Sequence, residues 1–212
     1  PALRQSCCSP RLQESQWPQE MIGLMMTCWP AFMPLTPSPI VVGGRVILTT
    51  AIQPDIPEEA KKGLYFGGER PDVPEGEVRW VVTCLDAGGG RTVWETVVAR
   101  GPAPGPIHVK NSYASETPVT DGARIYCPFG GIGIVCLDLE GNRVWEHRWR
   151  PRTVRSGWGP AASPVLHGDR LYVVNDNEED SFVAALDARS GNSPVVRRSR
   201  SPPPTPRTAC SM

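Results

Sequence analysis

Ser38-Pro39-Ile40-Val41-Val42-Gly43-Gly44-Arg45-Val46 returns as Thr117-Pro118-Val119-Thr120-Asp121-Gly122-Ala123-Arg124-Ile125, and again as Ser163-Pro164-Val165-Leu166-His167-Gly168-Asp169-Arg170-Leu171. Downstream of each copy lies a second shared piece: Cys84-Leu85-Asp86, Cys136-Leu137-Asp138 and Ala185-Leu186-Asp187. The first two continue through a glycine-containing turn into Val93-Trp94-Glu95 and Val144-Trp145-Glu146. The starts at 117 and 163 lie 46 residues apart, the length of one four-stranded structural repeat. Those at 38 and 117 lie 79 apart, so the first unit carries an insertion of roughly 30 residues beyond that period.

Each unit reads as four strands, A to D. Strand A is the short apolar run after the Ser/Thr-Pro pair, and a glycine turn follows it. Strand B is β-branched or aromatic, as in Arg45–Thr50, Arg124–Cys127 and Arg170–Val174. Strand C ends in the Leu-Asp pair and strand D carries the tryptophan. Such residues at short spacing suit a pleated, half-buried surface. Pro39, Pro118 and Pro164 fall at strand starts, where a missing N–H is tolerated. The expected fold is therefore all-β: a partial β-propeller of about three antiparallel blades (38–98, 117–148, 163–191) with irregular termini.

Composition agrees and removes several classes of function. With 24 prolines and 21 glycines, the chain is punctuated every few residues and favours short strands over helices. The 22 basic and 22 acidic side chains cancel, which speaks against duplex nucleic acid or an anionic membrane as a general electrostatic partner. No run of 18 apolar residues is present, so no transmembrane helix is expected. Met21–Leu35 is apolar, but Pro30 and Pro34 interrupt it and Glu20 precedes it, unlike the apolar core of a secretory leader. The seven cysteines (Cys7, Cys8, Cys28, Cys84, Cys127, Cys136, Cys210) fit neither a dense disulfide framework nor zinc-ligand spacing. Cys84 and Cys136 hold equivalent strand C positions and read as small buried hydrophobes.

The spacing small-x-Asp-x-x-x-Gly-x-x-x-Trp, here Cys84, Asp86, Gly90 and Trp94, resembles the tryptophan-docking motif of PQQ-like β-propeller repeats. Cys136, Asp138, Gly141 and Trp145 repeat it with one residue fewer in the turn. The third unit keeps Ala185, Asp187 and Gly191 but has no tryptophan near 195. The resemblance implies that each tryptophan packs against the neighbouring blade and that each aspartate fixes a turn. The chain is also similar to bacterial PQQ-like repeat proteins related in architecture to BamB, through Lys110-Asn111-Ser112-Tyr113-Ala114-Ser115 and Asn175–Phe182. It covers 38–191 and implies a periplasmic or extracellular location, a parent of about eight blades, and a non-catalytic scaffold for ligand or protein binding. The remaining blades or a protein partner would then cover the open flanks, with self-association if the three blades stand alone.

Quinoprotein dehydrogenases of the alcohol or sugar type share the repeat, so PQQ with Ca²⁺ is the alternative the resemblance raises. They place a catalytic aspartate on one face of the propeller, and some carry a vicinal disulfide over the cofactor. Cys7-Cys8 is vicinal but lies in the irregular segment 1–37, where only Gln16-Trp17-Pro18-Gln19 faintly resembles the family's opening. A sensor module of a larger protein is a further alternative. After Gly191 the sequence turns Arg/Ser/Pro-rich, so 192–212 reads as a disordered tail or a frame-slipped end.

In a propeller blade the B–C turns and D–A connections emerge at one end. Here these are the insertion from about Ile52 to Arg79, Gly130–Gly133 and Asn175–Ser181, with Arg100–Glu116 and Arg148–Ala162 between blades. Long loops on a rigid scaffold concentrate binding residues. Candidate ligand contacts there are Tyr65, Arg70, Lys110, Asn111, Tyr113, Trp158, Asp176 and Glu178. Lys110, Asn111 and Tyr113 could supply a cation, an amide and an aromatic plate; equally, Asn111 could cap a turn and Tyr113 pack between blades. Trp158 could stack on a ligand or fill a groove. Asp176, Glu178 and Asp180 alternate as oxygen donors that could suit a hard cation, or form a solvated hairpin tip. No catalytic acid, base or nucleophile stands out: Asp86, Asp138 and Asp187 recur as scaffold, and no nucleophile elbow, P-loop or His-rich motif is present.

Overall fold

The structure is a computed structural model that describes residues 37–53, 73–108, 111–154, 157–193 and 195–199. Among these residues twelve strands form three four-stranded antiparallel sheets. The first holds β1 (Ile40–Val42), β2 (Arg45–Ile52), β3 (Val78–Asp86) and β4 (Thr92–Gly101) in that order. The second holds β5 (Val119–Thr120), β6 (Arg124–Phe129), β7 (Gly133–Asp138) and β8 (Arg143–Arg148). The third holds β9 (Val165–His167), β10 (Arg170–Asn175), β11 (Ser181–Asp187) and β12 (Val195–Ser199). Each blade is thus a meander in sequence order, with β1, β5 and β9 side by side at the inner edge. Among the described residues no helix is long and apolar enough to cross a membrane.

Why these residues form blades is visible in the alternation along each strand. Ile125 and Cys127 on β6 face the first blade, while Tyr126 and Pro128 face the third. All four are buried, because the second blade has a neighbour on both sides. Two cores result. The first joins Ile47, Trp80, Val82 and Cys84 to Ile125, Cys127, Val135 and Leu137. The second joins Tyr126, Ile134, Cys136 and Trp145 to Leu171, Val173, Ala184 and Leu186. Cys84, Cys127 and Cys136 are free and buried in these cores, where burial pushes the Cys136 thiol up to about 12.

The two tryptophans bridge blades. Trp94 Nε1 donates to the Leu139 carbonyl (2.9 Å) and Trp145 Nε1 to the Ala188 carbonyl (3.1 Å), each in the C–D turn of the following blade. A Cβ on Gly141 would lie 2.7 Å from the Trp94 ring, and one on Gly191 would lie 2.5 Å from the Trp145 ring. Positive φ values of 87° and 71° reinforce the need for glycine at both positions. In both blades a register shift falls one residue from the tryptophan, since Cys84 faces Trp94 but Leu85 faces Thr92, and Cys136 faces Trp145 but Leu137 faces Arg143. The bulged residues, Val93 and Val144, point outward and stay exposed.

The turn aspartates act through their carboxylates. Asp86 accepts from Gly89 N (2.6 Å); Asp138 accepts from Glu140 N, Asn142 N and Asn142 Nδ2; Asp187 accepts from Arg189 N, Ser190 N and Ser190 Oγ. The Asn142 amide and the Ser190 hydroxyl lead in holding Asp138 and Asp187 below the usual carboxylate range. They are ionised acceptors that build turns.

The third blade departs from the sequence-based boundary at 191. Val195–Ser199 pairs with β11 from Ala185↔Val195 to Ser181↔Ser199 and supplies the fourth strand. Without it the outer edge of β11 would leave its N–H and C=O groups unpaired. An outermost strand faces water, so the polar run from Arg197 is tolerated there. Fourth strands also reach further than expected in the first blade, where β4 continues to Gly101.

Candidate functional site

Four irregular segments meet at one end of the blades: the D–A connections 102–118 and 149–164, and the B–C turns 130–132 and 176–180. Tyr65, Arg70 and Lys110 lie outside the described residues, as do Cys7, Cys8 and most of the long first-blade insertion. The remaining candidates fall into distinct settings.

Asn111 ties the two D–A connections together. Its amide nitrogen donates to the carbonyls of Trp158 (2.6 Å) and Pro160 (3.4 Å). Its Oδ1 accepts from Ser112 N (2.9 Å) and from the Ser115 hydroxyl. Tyr113 is buried in the core between the first two blades, and its phenol donates to Gly105 O at 2.6 Å. Burial raises its pKa to about 12, which keeps the hydroxyl a neutral donor. Trp158 is the exposed member, with 60% of its surface accessible and its ring edge-on to His108 at 6.0 Å. Asn111→Ala should lower stability by about 1 kcal/mol, the net worth of hydrogen bonds lost at an exposed to half-buried site. Denaturant melts of the variant and of Asn111→Asp, which keeps the acceptor but loses both donors, measure the two halves of that bond set.

Asp176, Glu178 and Asp180 sit in a hairpin tip organised by a residue the sequence reading passed over. Asn177 is buried; its Oδ1 accepts from Glu179 N (2.9 Å) and Asp180 N (2.6 Å), while its amide donates to Asn175 Oδ1 (2.9 Å). Asp176 accepts from the Ser181 hydroxyl (2.8 Å) and Asp180 pairs with Arg152 (3.3 Å). Glu178 and Asp176 are exposed, and Glu178 meets the neighbouring connection through its backbone N–H to Thr153 O (2.9 Å). Glu179 pairs with Arg150 (3.3 Å) and accepts from Thr153 N (3.1 Å). Among the described residues no three His, Cys, Asp or Glu side chains are grouped to hold a metal.

Glu116, Trp149 and Arg152 form the rest of the end and were not singled out from sequence. The Glu116 carboxylate accepts from Gly130 N (2.8 Å), and Trp149 Nε1 donates to Gly130 O (2.7 Å). A glycine is needed at 130 because a Cβ would lie 2.5 Å from Pro160 Cβ. Glu116 is only 1% exposed, and burial raises its pKa to about 8 against the pull of backbone N–H donors. Arg152 is largely buried, with its Nε lacking an acceptor. The glycine pair Gly130-Gly131 was the available signal, since adjacent glycines in a tight turn mark close backbone approach.

Two small cavities lie between these segments. One of about 110 Å³ is lined by Pro104, Ile107, Tyr113, Arg152, Val154 and Pro160, among others. The other, of about 150 Å³, is bounded by Glu116, Gly130, Trp149, Val173 and Asn175. Both fall below the roughly 300–1,000 Å³ of a pocket that encloses a drug-sized ligand.

Among curated proteins no sequence matches this chain. Solved structures with a similar arrangement include a europium-containing methanol dehydrogenase (16% identity, TM-score 0.48), covering 77% of this chain and 24% of that one. Quinohemoprotein alcohol dehydrogenase from Comamonas testosteroni matches at 14% identity and TM-score 0.46, over 78% of this chain and 22% of its own. BamB from Moraxella catarrhalis matches at 15% identity and TM-score 0.37, over 57% of this chain and 33% of its own. The chain thus spans between about a fifth and a third of these proteins' lengths. The family model described as outer membrane protein assembly factor BamB matches residues 30–207, taking in all three blades and the strand after Gly191, so the chain belongs to this family of PQQ-like repeat proteins.

Proposed function

We propose that this chain is a non-catalytic propeller scaffold whose loop-bearing end receives a protein segment or a ligand. One observation supports it above others: the polar side chains at that end are committed to holding loops in place. Asn111 joins two connections, Glu116 holds the Gly130 turn, and Glu179 and Asp180 engage Arg150 and Arg152. Side chains so engaged build a rigid rim. Around it the surface is proline- and glycine-rich, with the indole of Trp158 exposed, a composition that presents a preformed apolar contact at low entropic cost. On this reading the partners are proteins, including further blades laid against the lateral faces.

The competing reading is a quinoprotein oxidoreductase. Titration of PQQ with Ca²⁺ into the full chain, followed by absorbance, separates the two. The scaffold reading expects no saturable spectral change. A saturable change that Ca²⁺ chelation reverses would overturn it in favour of quinone chemistry.

A further inference from the structure

The cavity of about 150 Å³ between the second and third blades is lined by acids and by no base. Glu116 and Asp176 are the titratable residues that bound it; no lysine, arginine or histidine does. Glu116, Val173 and Asn175 are buried, whereas Ala161 and Ala162 are exposed, so the cavity runs from a buried carboxyl to an open, apolar mouth.

The Glu116 carboxyl has no counter-ion among the described residues. Gly130 N donates to its Oε1 (2.8 Å), and the amides of Ser115 and Glu116 also favour the ionised form, yet burial outweighs all three. A carboxylate out of water with no cation beside it is costly. The described arginines of the connection that walls the cavity are engaged elsewhere, Arg150 with Glu179 (3.3 Å) and Arg152 with Asp180 (3.3 Å). The Asp176 carboxylate, for its part, accepts from the Ser181 hydroxyl (2.8 Å). The fold thus keeps a buried acid and provides no base to meet it.

The rest of the lining suits a cation carried on a short aliphatic chain. Trp149 spends its one N–H on Gly130 O (2.7 Å), so what it can offer the cavity is its ring. Gly130 O and Asn175 Oδ1 each accept one bond, the latter from Asn177 Nδ2 (2.9 Å), and each keeps a second lone pair. Pro128, Pro160 and Val173 supply apolar wall. At about 30 Å³ per water in the liquid, the volume holds a few waters or one short chain.

We propose that this cavity is a binding site for one alkylammonium group, carried by a free primary amine or by a lysine side chain, with Glu116 as its counter-ion. The inference deepens, and rests on, the reading of this end as a receiving surface. The ammonium brings the missing positive charge and donates to the Glu116 carboxylate, while its methylenes lie along the apolar wall. As it enters, Glu116 gives up its proton to solvent, so one positive charge replaces another inside the cavity.

The test is calorimetric titration of n-butylammonium chloride into the full chain, in buffers of different ionisation enthalpy. At pH 9 Glu116 is mostly ionised and the amine is still charged, since alkylammonium groups titrate near ~10.4. Saturable binding is expected there. At pH 7 the apparent affinity should be about tenfold lower, because with a pKa of about 8 the ionised fraction falls by that factor. Nearly one proton should be released per amine bound at pH 7, and almost none at pH 9. n-Butanol, its neutral match, should show no pH-dependent binding. Glu116→Gln should weaken butylammonium binding at pH 9 by about tenfold or more, through loss of a charge-assisted hydrogen bond. Nα-acetyl-lysine amide separates the two sources: binding as tight as the free amine assigns the site to a protein's lysine, and binding of butylammonium alone assigns it to a free amine. The proposal is overturned if neither amine saturates at pH 9, if affinity is flat between pH 7 and 9, or if Glu116→Gln binds as the unaltered chain does. The proton count is read on the unaltered chain, so it decides the matter even where the variant fails to fold. Failure here leaves the rigid rim in place, whereas a saturable PQQ absorbance change would remove the scaffold reading itself.

Discussion

Trp145→Ala should lower the unfolding free energy by about 3–5 kcal/mol, as large truncations in a packed core do. Trp145 is 9% exposed, packs beside Tyr126 with ring centroids 5.9 Å apart and planes tilted by 41°, and lies over Gly191 of the third blade. Removing the indole opens a void on both sides of an interblade joint whose backbone cannot close in, because β7 and β11 are each fixed in a four-stranded ladder. It also strands the Ala188 carbonyl, which accepts the indole N–H at 3.1 Å. Trp145→Phe isolates the second effect: it keeps most of the apolar area and should cost nearer 1 kcal/mol from the hydrogen bond, plus a packing remainder. Equilibrium denaturation of both variants measures the difference. A Trp145→Ala protein as stable as the unaltered chain would mean that the second and third blades do not share a core.

Stability should fall as pH rises from about 4.5 to about 8, and Glu116→Gln should remove that fall. Burial raises the folded-state pKa of Glu116 from 4.5 to about 8. Between those values the folded protein holds a proton that the unfolded chain has released, so raising the pH favours unfolding. Below 4.5 both states are protonated and the slope vanishes; above 8 both are ionised and the full penalty is in place. The steepest slope for one such group is about 1.4 kcal/mol per pH unit, enough to dominate the profile in this window. Glutamine keeps an oxygen for the Gly130 N–H and cannot ionise. Thermal melts across pH 3.5–9 should give curves that run together below about 4.5, diverge from there to about 8 with the variant the more stable, and run parallel above. Curves that stay parallel throughout would show that Glu116 is solvated.

The blades were legible because a β-propeller repeats its chemistry. Ser/Thr-Pro at the inner strand, a glycine turn, Leu-Asp and tryptophan each answer a local demand that recurs every blade. The fourth strand of the third blade was not legible, since its sequence carries neither the tryptophan nor apolar alternation beyond Val196. Its place is set by the open edge of β11, a tertiary cause that no local pattern reports. The loop-bearing end was legible as a location but not as an arrangement. Asn111 stood out because amides favour turns, yet that its amide spans to carbonyls at 158 and 160 depends on two connections meeting. Asn177, Glu116 and Arg152 gave no sequence signal because nothing repeats them in the other blades. Asp176 and Glu178 show the converse: an alternating acidic run is conspicuous in sequence, while the buried asparagine between them does the folding.

The joints between blades are read almost entirely from side chain to main chain. Trp94 and Trp145 donate to the carbonyls of Leu139 and Ala188, Thr96 donates to Gly141 O, and Arg45 and Arg143 donate to Leu139 O and Val98 O. A carbonyl oxygen is the same whatever residue carries it, so the receiving turn is recognised by its path and not by its identity. Beyond the glycine beneath each indole, the exposed residues of these turns are free to drift without loosening the stack. Turns of different length, Asp86 to Gly90 in one blade and Asp138 to Gly141 in another, can serve one architecture. Divergence of sequence across a family of this kind is therefore cheap at the joints, and novelty can accumulate around the rim while the assembly rule stays fixed.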